Sequence, residues 1–109
     1  MKEERKPFVT TSGISKERVI KKIQDSIEAN REAILECEIQ LHTFKYVTWP
    51  TTLATYERTK RKQLDKGEQG IGKAEVEQAG SMKSQWEGKM VMFHDSIFFL
   101  TKELELLGK

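Results

Sequence analysis

From Ile20 to Phe44 one set of positions recurs at alternating spacings of three and four: Ile20, Ile23, Ile27, Asn30, Ile34, Cys37, Leu41 and Phe44. On an α-helix that spacing lines up a single stripe, and a stripe so narrow is a heptad seam made to face another helix. Only Asn30 in this set is polar. Ser15 stands where a hydroxyl can accept from the open amides of a first turn, with Ile14 and Val19 at the spacing of a hydrophobic staple. No glycine or proline follows until Pro50, so the pattern predicts a helix over about 15–47.

A second seam runs through Val76, Ala79, Lys83, Trp86, Met90, Phe93, Ile97, Leu100, Leu104 and Leu107. Lys83 interrupts it and Gly80 weakens it, so the predicted helix over about 73–107 is most regular from Trp86 onward. The stretch between the seams is different. Trp49–Pro50 opens it, Gly67, Gly70 and Gly72 close it, and its sparse apolar residues predict a weak helix and a glycine-rich turn within a connector over 48–72. Residues 1–14, charged before Pro7 and then rich in threonine, serine and glycine, read as a flexible arm preceding one helical domain over 15–108.

Two seams of similar length joined by a connector predict an all-α fold. The expected form is a long antiparallel helical hairpin with a short middle helix, packed as a three-helix bundle or, with a second copy, as a dimeric four-helix bundle. End-to-end pairing brings Asn30 close to Ile97. A buried amide there needs a polar group across the seam, which makes Asn30 a candidate for setting register or oligomer state. The last helix carries more apolar surface than one neighbour covers, since Val91, Met92, Phe98, Phe99 and Leu106 lie off its seam. Either the connector covers them through Trp49, Leu53 and Tyr56, or another subunit does. The candidate partner or oligomer interface is therefore Asn30, Trp49, Tyr56, Val91, Phe98, Phe99 and Leu106.

Charge alters this picture only locally. Of the 109 residues 33% are charged, yet 19 basic and 17 acidic residues leave a net charge of +2, without the strong imbalance of many disordered tails. Arg58, Lys60, Arg61, Lys62 and Lys66 sit in the connector near Tyr46, Trp49 and Tyr56, and basic residues interleaved with aromatics are what a nucleic-acid contact uses. The single cysteine excludes an internal disulfide framework and a multi-cysteine zinc cluster. An apolar run such as Ile97–Leu100 is far too short to span a bilayer, and no apolar stretch backs the charged N-terminus as in a secretory signal. The expected setting is cytoplasmic.

Motifs that carry chemistry are scarce. Gly67–Glu68–Gln69–Gly70–Ile71–Gly72–Lys73 satisfies the spacing of a phosphate-binding loop, but Ala74 replaces the magnesium-holding hydroxyl and no apolar strand precedes it. Cys37 and His42 lie five residues apart, off one clean helix face, and His94 belongs to the other helix, so no metal set converges. Cys37, a seam member, reads as a small buried hydrophobe. The triplet Trp86–Glu87–Gly88 resembles the signature of the WxG family of small secreted hairpins, in which it occupies the mid-chain turn; here it lies inside the second seam and assigns no family. The sequence thus predicts a non-catalytic scaffold, adaptor or small assembly subunit with no cofactor and no metal. Its partner would be a protein, most simply itself, and the alternative is a nucleic-acid accessory acting through residues 45–66.

Overall fold

The structure, a computed structural model, describes residues 12–108, and every regular element among them is helical. Residues 1–11 of the predicted arm lie outside the described residues. Helix α1 spans Lys16–Thr43. A π-helical turn over Phe44–Thr48 leads without a break into α2, Trp49–Lys60. Helix α3 spans Lys73–Leu107. Ser15 caps α1 as its position implies: its hydroxyl accepts from the Arg18 amide at 3.4 Å and its carbonyl from the Val19 amide at 3.2 Å.

The chain enters α2 through Trp49–Pro50. A proline removes one amide from the helical ladder and crowds the carbonyl four residues back, and it biases the preceding residue away from helical angles. Trp49 nevertheless holds φ −67° and ψ −49°, and its amide reaches back five residues to the Phe44 carbonyl. The wider π turn opens the ladder just where Pro50 has no hydrogen to give, so the helical path continues past 47. Within α2, Thr52, Thr55 and Thr59 each donate a hydroxyl to the carbonyl four residues earlier, at 2.7, 2.9 and 2.8 Å. Three such bonds occupy the side chains of a segment otherwise poor in apolar anchors.

Helix α2 ends in a Schellman motif. The Lys62 amide donates to Thr59 at 3.2 Å and the Gln63 amide to Arg58 at 2.9 Å, with Lys62 in the left-handed region at φ 56°. Glycine is the residue that ordinarily occupies this position, because a Cβ costs about 1–2 kcal/mol there. Lys62→Gly is therefore expected to stabilise the chain by about 1 kcal/mol, read as a higher denaturation midpoint at unchanged m-value. A destabilised Lys62→Gly variant would contradict the assignment.

The chain packs as two compact units. The terminal unit contains α1 up to Leu35 and α3 from Val91 onward; the central unit is Glu36–Met90. In the terminal unit Ile27, Ile34 and Leu107 are buried, with Ile20, Ile23, Phe93, Ile97, Leu100 and Leu104 half-buried. In the central unit Cys37 is 1% exposed, Phe44 is buried, and Leu41, Trp49, Val76, Trp86 and Met90 are half-buried. Both seams are thus the covered stripes of their helices. Lys83 alone among seam members is exposed, as the chemistry of an ammonium group requires.

Candidate functional site

Within the terminal unit, α3 presents a second apolar face. At about 100° per residue, Val91, Asp95, Phe98, Phe99, Lys102 and Leu106 centre roughly 170° away from Phe93, Ile97, Leu100, Leu104 and Leu107. The second set is covered; the first is largely bare. Val91 is 60% exposed, Met92 68%, Phe98 58% and Phe99 54%. Leu106, at the end of the face, is half-buried. The Phe98 and Phe99 rings meet edge to face at 5.8 Å, and the Lys102 ammonium lies 5.6 Å from the Phe98 ring centre. Asp95 and Lys102, both exposed, are the charged members of this face.

The other expected interface residues stand elsewhere. Trp49 stacks on Phe44 at 5.5 Å with 25° between the rings, and a Cβ on Gly80 would lie 3.7 Å from the Trp49 ring. Gly80, which only looked like a weakness in the second seam, is the flat seat for that indole. Tyr56 is half-buried with the Lys60 ammonium 4.8 Å from its ring, and Leu53 is exposed. Phe98 and Phe99 both keep more than half their surface in solvent. Asn30 is half-buried, and its amide donates to the Ser26 carbonyl at 2.7 Å, so one polar requirement of that seam position is met within α1.

The basic connector is largely matched by its own acids. Arg58 donates to Glu68 at 2.8 Å, while Lys60 and Arg61 reach the two oxygens of Glu57 at 2.9 and 3.8 Å. The hydrogen bond from Lys60, reinforced by its charge, holds the Glu57 carboxyl below its ordinary 4.5, and the same bond raises Lys60. The Arg58 guanidinium is likewise raised, first by its hydrogen bond to Glu68. Lys62 and Lys66 are exposed.

The glycine-rich turn is fastened to α2 rather than left open as a phosphate cradle. The Ile71 amide donates to the Thr59 hydroxyl at 3.1 Å, the Gly72 amide to Glu75 at 2.9 Å and the Glu68 amide to Asp65 at 2.9 Å. Leu64 and Thr59 crowd Gly70 so closely that a Cβ there would meet both at 3.1 Å. The arrangement needs glycine for packing, and three amides that a phosphate would require already have acceptors. Among the described residues no group of three or more histidine, cysteine, aspartate or glutamate side chains could hold a metal ion.

Two features escaped the sequence reading. Ile39, Tyr46 and Val47 are exposed to 50–60% on the central unit, and the His42 and Tyr46 rings lie 4.7 Å apart. A groove of about 560 Å³ in the same unit is lined by Leu41, Phe44, Lys45, Trp49, Gly80, Lys83 and Glu87. Off-seam apolar residues were the available signal for the first. The second depends on where Trp49 lands, which no local pattern encodes. No helix among the described residues is long and apolar enough to cross a membrane. In comparisons with known proteins, no family model matches the chain, and neither a curated protein nor a solved structure matches it.

Proposed function

We propose that this protein is a non-catalytic helical interaction subunit that associates through the outer face of α3, with itself or within a larger assembly. The observation that carries this reading is four large apolar side chains, Val91, Met92, Phe98 and Phe99, each more than half exposed on one face of one helix. Scattered apolar residues need no explanation, but a contiguous group opposite a covered seam marks an interaction surface. With just over half of each phenylalanine in water, roughly 1–1.5 kcal/mol each of transfer free energy is left for association to recover.

The same reading pairs α1 and α3 as an antiparallel hairpin, contributing to a three-helix or dimeric four-helix bundle. Support comes from the neighbours each helix finds: Ile23 shares a groove with Leu100 in the terminal unit, and Leu41 and Phe44 share one with Gly80 and Lys83 in the central unit. A cytoplasmic setting accords with one buried, unbridged cysteine. The nucleic-acid alternative draws less support, because Arg58, less exposed than Lys60 or Arg61, already holds Glu68 in a part-buried pair.

A melting experiment tests the reading. Whatever binds only the native state stabilises it by mass action, so Tm should rise with chain concentration between about 1 and 100 µM. A Tm independent of concentration across that range contradicts self-association.

A further inference from the structure

The outer face of α3 reads the same from either end. About a midpoint between Phe98 and Phe99, Val91 mirrors Leu106, Asp95 mirrors Lys102, and Phe98 mirrors Phe99. Along the middle of the face apolar positions mirror apolar ones and the mirrored charges Asp95 and Lys102 have opposite signs, while at its edge Met92 mirrors Glu105. A two-fold interface demands this kind of self-complementarity, since residue i of each copy meets residue j of the other.

We propose that the occupant of this face is a second copy of the chain, its α3 lying antiparallel across a two-fold axis that passes between Phe98 and Phe99. The inference rests on the self-association reading above and adds the partner, the orientation and the register. In this arrangement Asp95 faces the partner subunit's Lys102, and the same pair forms again on the other side of the axis. Phe98 packs against the partner subunit's Phe99 at the centre, and Val91 meets the partner subunit's Leu106 at each end. The seven-residue step from Asp95 to Lys102 corresponds to about 10 Å of helix rise, split evenly about the axis, so both charge pairs come into step together.

The alternatives are weaker on charge. An in-register parallel pair sets Asp95 against the partner subunit's Asp95 and lysine against lysine. A staggered parallel pair matches the signs but does not close, and open head-to-tail contacts propagate into filaments. Lys102 is available for the exchange. Its contact with Glu105, 3.5 Å with side chains 49% and 57% exposed, is a surface pair of little strength.

Charge reversal tests the register on the full chain. Asp95→Lys and Lys102→Asp each convert both mirrored pairs to like charges and should weaken self-association about tenfold, more at 50 mM than at 500 mM salt. Mixing the two variants re-forms opposite charges at every pair, so the mixture should heterodimerise within about threefold of the native affinity. The double variant in a single chain should recover the same way. Both side chains are exposed, and circular dichroism verifies that each variant keeps its helices. If the native chain associates while single and mixed variants all bind like the native one, the axis and register are wrong and the interaction reading survives. If the native chain stays monomeric at tens of micromolar, both fall.

Discussion

Phe44→Ala is expected to cost about 3 kcal/mol of stability, the low end of the range for emptying a buried phenylalanine site. Phe44 closes the first seam and sits at the start of the π turn that carries the chain past Pro50. Its carbonyl receives the Trp49 amide and its ring receives the Trp49 indole, so backbone and side chain of one residue both hold the α1–α2 junction. Stacked aromatics add about 0.5–1.5 kcal/mol beyond the area they bury. Truncation also opens a void onto the groove beside Leu41 and Gly80, which collapse cannot readily fill. Phe44→Leu retains most of the volume and should cost about 1 kcal/mol. Urea titration read by tryptophan fluorescence separates the two variants; equal midpoints for Phe44→Ala and the native chain would show that the junction does not depend on this ring.

Replacing Phe98 and Phe99 together by serine is expected to act in the opposite sense, abolishing association while sparing the fold. Each ring is more than half exposed, so the isolated chain forgoes little packing when they are removed. Serine is a moderate helix former on a solvent face, and its propensity cost here is below about 1 kcal/mol in total. At an interface the same rings would be central anchors, where truncations commonly cost 2 kcal/mol or more apiece. Two of them together predict a loss of affinity of at least about a hundredfold, read as a shift to the monomer position in size-exclusion chromatography with an unchanged helical spectrum. A double variant that unfolds would instead place these rings in the protein's own core.

Periodicity made the covered faces legible. All eight members of the first seam are buried or half-buried, and every member of the second except Lys83. Heptad spacing is a local property that each residue reports by its own position, and the Ser15 cap and the start of α3 at Lys73 are local in the same way. What remained hidden depends on partners distant in sequence or on unusual backbone. The pattern predicts that the first helix stops near 47, ahead of Trp49–Pro50, but a π turn carries the helical path on into α2. No glycine announced the end of α2, because Lys62 holds the left-handed position itself. The connector's cations and acids are both plain in the sequence, but which of them pair, Arg58 with Glu68 and Lys60 with Glu57, depends on the fold of the turn and α2. Trp49 finds its seat on Phe44 and Gly80, a pairing distant in sequence that no local pattern encodes. Of the candidate site, the exposed face of α3 followed from counting apolar residues off the seam, whereas the mirror relation between Asp95 and Lys102 gains meaning only once that face is seen to be bare.

The mass of the native chain in solution bears most directly on whether the bare face is an interface. Sedimentation equilibrium at tens of micromolar is expected to give a particle of twice the 12.7 kDa chain mass, dissociating on dilution. A single species at 12.7 kDa throughout that concentration range would contradict the account.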